Sequence, residues 1–156
     1  MIEDTAPRAA ETGPLLLGNQ LCFAVYSTAH AFNRVYKPLL DGLGLTYPQY
    51  LVMLVLWERD DIPVKEIGER LFLDSGTLTP LLKRLETAGL IRRTRSKQDE
   101  RQVLIALTAR GEALREQAKM LPEAILAASA CSIGELSALK NDMIALRDRL
   151  LAMAGG

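Results

Sequence analysis

One histidine, two cysteines and no net charge exclude several function classes before any motif is read. His30 has no companion cluster of cysteine, so a structural or catalytic metal has no ligand set to occupy; neither a metal nor a cofactor is expected. Cys22 and Cys131 stand 109 positions apart, unlike the dense pattern of a disulfide-stapled secreted domain. In a reducing compartment such a pair is either structural or redox-active. No apolar run approaches the ~20 residues that span a bilayer. Residues 1–14 are polar, carry acids and a single Arg, and lack the charged-then-apolar order of a signal segment. They read as a disordered tail of a cytoplasmic protein with no membrane partner. There is no internal repeat and no low-complexity stretch.

What is present favours helix. Hydrophobic residues make up 49% of the 156, and much of that is Leu and Ala. A chain of this length buries about 70% of its unfolded surface in one core, so it needs no covalent staple. Leu16 to about His30 reads as a first helix, with Leu17, Leu21, Ala24 and Val25 facing inward. It continues from Ala31 to Leu40, with a kink or break expected near Tyr36 because of Pro38. Thr46-Tyr47-Pro48-Gln49 has the form of a capping box with proline in the first turn. The helix it opens, to about Trp57, is apolar on nearly every side and is expected at the centre of the core. Asp60, Asp61 and Pro63 read as a turn, and Val64 to Phe72 as a short helix. Near the C-terminus, Thr108 caps a helix from Ala109 to about Ala128. Ser132 to Glu135 form a second capping box, which opens a helix with Leu136, Leu139, Met143, Leu146 and Leu150 on one stripe.

The segment from Leu71 to Gly111 carries the chemistry. Asp74 or Ser75 can cap a helix that Gly89 ends, and Leu78, Leu81, Leu82 and Leu85 form its buried stripe. Ser75, Thr77, Thr79, Pro80, Lys83 and Arg84 lie mostly off that stripe. Ile91–Thr94 and Val103–Leu107 are strand-like runs joined by the charged tip Arg95-Ser96-Lys97-Gln98-Asp99-Glu100-Arg101. From Lys83 to Arg101 there are seven basic and three acidic residues, in a chain that as a whole carries 19 of each sign. A charge run alone is usually a solvated face. Combined with the cap, the stripe, the glycine stop and the ribbon, it describes a winged helix-turn-helix that reads double-stranded DNA. The helix from Ser75 would enter the major groove, Lys83 and Arg84 would hold phosphates, and the tip (Arg95, Lys97, Arg101) would follow the backbone or the minor groove. Asp99 could brace the ribbon through a nearby Arg while Arg101 points at DNA. The fold class is thus mainly α with a small β wing. The wing module covers about 48–108, within a single domain over 15–156. Helices at about 15–45 and 109–153 are left for a homodimer matched to a pseudo-palindromic operator.

The run LTPLLKRLE, the Asp99-Glu100-Arg101 triplet and the closing LT-x-x-G at Leu107–Gly111 resemble the MarR family of dimeric repressors. The segments LCFAVYS at 21–27, YKPLL at 36–40 and LTYPQY at 45–50 are similar to its OhrR branch, which senses organic hydroperoxides. The resemblance covers about residues 15–150. It implies that Cys22 is the peroxide-reactive thiol, that Tyr36 and Tyr47 of the partner subunit hydrogen-bond it, and that Cys131 is the resolving thiol of a two-cysteine type. The implied function is a repressor, not an enzyme, inactivated by oxidation of Cys22 and an intersubunit disulfide with Cys131.

General thiol chemistry agrees. Hydrogen bonds from two phenols favour a thiolate, and a sulfenic acid condenses with a second thiol. Read as residues alone, Cys22 and Cys131 are small buried hydrophobes, and the tyrosines are core or interface aromatics. Two other functions remain open at this point: a repressor released by a reversibly bound aromatic ligand, with inert cysteines, and a thiol peroxidase that turns its substrate over.

Overall fold

A computed structural model describes residues 13–155, so the expected tail falls almost wholly outside the described residues. Among the described residues, one 3-10 turn at Leu17–Asn19 precedes seven α-helices and three short strands. The helices are α1 (Leu21–Asp41), α2 (Tyr47–Glu58), α3 (Val64–Leu71), α4 (Ser75–Thr87), α5 (Ala109–Ala118), α6 (Met120–Ser129) and α7 (Ile133–Ala154). The strands are β1 (Ile62–Pro63), β2 (Ile91–Arg95) and β3 (Val103–Leu107), in the antiparallel order β1-β3-β2.

The core is built around α2. Val52, Met53, Val55 and Leu56 are buried, and the low amphipathicity of the helix follows from contact on all sides. Thr46 accepts the Gln49 N–H while the Gln49 side chain accepts the Thr46 N–H at 2.9 Å, which closes the expected capping box. Leu78, Leu81, Leu82 and Leu85 of α4 join the same cluster with Ile62, Ile67, Ile91 and Ile105. Trp57 packs half-buried at its edge, and its indole N–H donates to the Gly111 carbonyl at 3.0 Å.

Several expectations need correction. Helix α1 runs unbroken through Pro38, so there is no break near Tyr36. The turn that loses the hydrogen bond at Pro38 is exposed in the single chain, so the freed Arg34 carbonyl is not buried without a partner there. The helix also starts at Leu21 instead of Leu16. Its expected inward residues are not covered: Leu17, Leu21 and Ala24 are exposed and Val25 is half-buried. Ile62 and Pro63 are not only turn. They pair with Ile105 and Leu104 as an edge strand, where a proline costs no ladder bond. The long helix expected from Ala109 is divided at Lys119 into α5 and α6. Pro122 has no N–H for the Ala118 carbonyl, which weakens the ladder at that turn. Of α1 only Leu40 is buried, and α7 buries nothing.

Candidate functional site

Helix α4 begins where Asp74 accepts the Thr77 N–H at 2.7 Å. That backbone hydrogen bond holds the Asp74 carboxyl below the usual carboxylate range. The helix ends in a Schellman motif: Gly89 N–H to Glu86 O at 2.9 Å and Leu90 N–H to Leu85 O at 3.1 Å, with Gly89 at φ +76°. Between the two caps, Ser75, Thr77, Pro80, Lys83 and Arg84 are exposed off the leucine stripe, and Thr79 is half-buried. The face offered to a partner is therefore short hydroxyls at the helix start and cations towards its end. This order suits base edges and phosphates respectively.

The β2–β3 hairpin is a defined wing. Register runs from Ile91 opposite Leu107 to Arg95 opposite Val103. At the tip, the buried Ser96 hydroxyl accepts the N–H groups of Gln98 and Asp99 at 3.2 and 3.3 Å. Arg95 reaches the Glu100 carbonyl at 3.3 Å. Asp99 braces Arg101 itself, not another arginine. Its Oδ1 accepts both the Arg101 backbone N–H at 3.1 Å and its Nε–H at 3.3 Å, an arrangement that the two-residue spacing favours. The Arg101 side chain nevertheless stays 93% exposed, and Lys97 is exposed beside it.

Three positioning interactions escaped the sequence reading. Glu86, on the α4 face towards the wing, accepts the Arg93 N–H at 3.1 Å and lies 3.6 Å from the Arg93 Nε. It ties the wing root to the recognition helix. In the sequence it counted only as a minus sign among basic residues. Asp60 accepts the Leu107 N–H at 2.8 Å across 47 positions, a separation at which no local pattern is informative. Thr108 accepts the Gly111 N–H at 3.1 Å, as its expected cap role requires, and also donates to the Gly89 carbonyl at 2.6 Å, which locks α5 to the end of α4.

The thiol-site residues are distributed differently. Cys22 is exposed at the second position of α1, and Cys131 is exposed between the left-handed Ala130 and the Ser132 cap; both thiols are free. The Cys131 S–H points to the Ser129 carbonyl at 3.4 Å. Tyr36 and Tyr47 are brought together, with ring centroids 5.0 Å apart, and Tyr50 lies 5.8 Å from Tyr36. Burial first, then the neighbouring Tyr50 and Tyr47, push Tyr36 up to about 12. Burial likewise raises Tyr47. Both phenols therefore keep their protons at neutral pH and are available as donors. Fourteen positions of a continuous helix separate Cys22 from Tyr36. At 1.5 Å per residue this is ~21 Å, so a chain's own Tyr36 does not reach its own Cys22.

A capped recognition helix, a braced basic wing and a preceding short helix define a winged helix-turn-helix DNA-binding protein. Comparison with known proteins narrows the class. Residues 34–118 match the family model described as transcriptional regulator SarA/Rot. The chain is 53% identical over 156 residues to the HTH-type transcriptional regulator TtmR of Methylorubrum extorquens, covering 96% of this chain and 80% of that protein. It is 52% identical over 134 residues to the organic hydroperoxide resistance transcriptional regulator of Bacillus subtilis, covering 86% and 91%. Reduced AbfR bound to DNA, from the Staphylococcus epidermidis protein, superposes with a TM-score of 0.73 at 38% identity over 88% of this chain and 94% of that one. The disulfide form of AbfR gives 0.60 at 41% identity over 83% and 91%. The chain belongs to the MarR/OhrR-type winged-helix transcriptional regulators.

Proposed function

We propose that this regulator is a homodimeric repressor released from a pseudo-palindromic operator by organic hydroperoxides, through oxidation of Cys22 and an intersubunit disulfide with Cys131. The observation that carries the reading is the ~21 Å between Cys22 and the Tyr36–Tyr47 pair on a single chain. An antiparallel second copy of α1 is the simplest way to bring a phenol pair to each thiol. The apolar side chains that such a copy would cover are exposed here, among them Leu17, Leu21 and Phe23 at one end and Leu139, Leu150 and Leu151 on α7. Helices at about 15–45 and 109–153 then form the dimer, and residues 48–108 read DNA. The 52% identical Bacillus subtilis regulator is named for organic hydroperoxide resistance, and AbfR has solved reduced and disulfide forms. Both support the same chemistry.

In the proposed reaction the Cys22 thiolate attacks the terminal peroxide oxygen. The O–O bond breaks, the alcohol leaves with a proton, and Cys22 becomes a sulfenic acid. The Cys131 thiol of the other chain attacks that sulfur and water leaves, so one peroxide oxidises two thiols. The DNA contacts assigned are Ser75, Thr77, Thr79, Pro80, Lys83 and Arg84 on α4, and Arg95, Lys97 and Arg101 on the wing, with Asp99 as the brace. Such a switch operates in the cytoplasm, where thiols are held reduced.

The test is fluorescence anisotropy on a palindromic operator fragment, before and after stoichiometric cumene hydroperoxide and again after dithiothreitol. Loss of binding on oxidation, its return with thiol, and no response in Cys22→Ser are expected. Binding that ignores peroxide in the wild type would discard the cysteine switch and direct attention to aromatic ligands.

A further inference from the structure

Helix α7 connects two places that the function must connect. Its first residues follow Cys131 directly, and the Ser132–Glu135 capping box fixes that end: Ser132 accepts the Glu135 N–H at 3.2 Å while its own N–H donates to the Glu135 carboxylate at 2.7 Å. Fourteen positions from Ile133, ~21 Å along the same unbroken helix, lies Arg147. Its guanidinium carbon sits 4.6 Å from the centre of the Phe72 ring. Asp148 steadies the guanidinium through Nε and Nη2 at 3.0 and 2.9 Å.

Phe72 is an unusual place for a phenylalanine. It caps the end of α3 in the left-handed region at φ +56°, and the Gly68 carbonyl accepts the N–H groups of both Phe72 and Leu73. A bulky residue at positive φ is strained, which normally selects glycine or asparagine. The ring gains little from the core in return, because it is 57% exposed. Two residues later Asp74 caps the recognition helix. Phe72 is thus the corner of the helix-turn-helix, and Arg147 lies on its ring.

We propose that Arg147 and Phe72 are positioning residues that transmit the state of Cys131 to the recognition helix, with α7 as the rigid connector. The inference rests on the thiol-switch reading above. With both thiols free, the Arg147–Phe72 contact holds the corner in the orientation seen here. A disulfide at Cys131 displaces the N-terminal end of α7, and a stiff helix carries that displacement to its distal end, where the corner and then α4 must follow. A contact of this type at an exposed site biases a two-state equilibrium by about twofold to fivefold.

The experiment compares wild type, Arg147→Met, Arg147→Lys, Phe72→Leu and the Arg147→Met/Phe72→Leu double variant. Operator affinity is measured reduced and after stoichiometric cumene hydroperoxide, with the rate of Cys22 oxidation followed in parallel. Expected is a release ratio (oxidised over reduced dissociation constant) narrowed about twofold to fivefold in Arg147→Met and in Phe72→Leu. The double variant should be no worse than either single one, Arg147→Lys should recover part of the ratio, and the oxidation rate should be unchanged. If the variants weaken reduced binding but keep the wild-type release ratio, the pair is merely structural and the proposal is overturned. Unchanged variants beside a responsive wild type overturn it as well and leave the switch intact. A wild type that does not respond to peroxide removes the switch and the coupling together.

Discussion

Replacing Gly111 by alanine tests whether the joint between the wing and α5 is as tight as it looks. Gly111 lies in the first turn of α5 with ordinary helical backbone, so its lack of a side chain is a matter of space and not of φ. A Cβ there would overlap the Leu90 carbonyl oxygen and come within 3.0 Å of the Leu90 carbonyl carbon and 3.2 Å of Leu107 Cδ2. The first two are backbone atoms of the β2 root and cannot rotate away. The Leu90 carbonyl also accepts the Thr108 N–H at 3.1 Å, so moving it breaks the corner. Overpacking against backbone costs about 3 kcal/mol, and alanine recovers up to ~1 kcal/mol of helix propensity over glycine, leaving a net loss of about 2 kcal/mol. For a domain of this size that lowers Tm by roughly 4–8 °C. Urea unfolding at fixed protein concentration, read by the fluorescence of Trp57, is the assay. Trp57 is the only tryptophan and donates to the Gly111 carbonyl itself, so its native emission should change as well. A variant within 0.5 kcal/mol of wild type, with unchanged emission, would refute the argument.

Other perturbations separate the parts of the molecule. Cys131→Ser should still lose operator binding on peroxide treatment yet form no covalent dimer on a non-reducing gel; a persistent crosslinked band would remove Cys131 from its role. Arg101→Ala should weaken operator binding about equally across sequences and lower the slope of log affinity against log salt by about 1, with thiol oxidation unaffected; equal affinity at physiological salt would take Arg101 off the contact face. Tyr36 ionises at about 12 in the folded chain against 10.0 for a free tyrosine. Between these values the unfolded chain has lost a proton that the folded chain keeps. The contribution of Tyr36 to stability is therefore complete below pH 10 and lost as pH rises towards 12. Ultraviolet absorbance of tyrosinate, followed with unfolding midpoints, should show several late-titrating phenols, one fewer in Tyr36→Phe.

The parts of the fold that local chemistry dictates were legible in the sequence. Four side-chain caps at Thr46, Asp74, Thr108 and Ser132, the glycine stop at Gly89 and the leucine stripe of α4 each need only a few adjacent residues to be recognised. Strand β1 was missed because two residues cannot show alternation, and its only signal is a partner in β3 some 40 positions away. The break at Lys119 was signalled by Pro122, but the surrounding leucines and alanines argued for continuity. Pro38 gave the opposite error: on an exposed turn the carbonyl it leaves free is not buried, so the helix continues. The DNA face could be outlined from charge and spacing. The carboxylates that hold it in shape, Glu86 and Asp60, could not, since an acid's partner in three dimensions leaves no trace in its neighbours.

The length of α1 has a consequence for dosage. Under the proposed assembly, thiol and phenols come from different chains, so a solitary chain carries one half of each of two sensors and completes neither. Sensitivity to peroxide would then rise with the square of chain concentration until pairing saturates. In mixed pairs of wild-type and Cys22→Ser chains, half of the sensors would survive, each with its phenols supplied by the chain whose own thiol is missing.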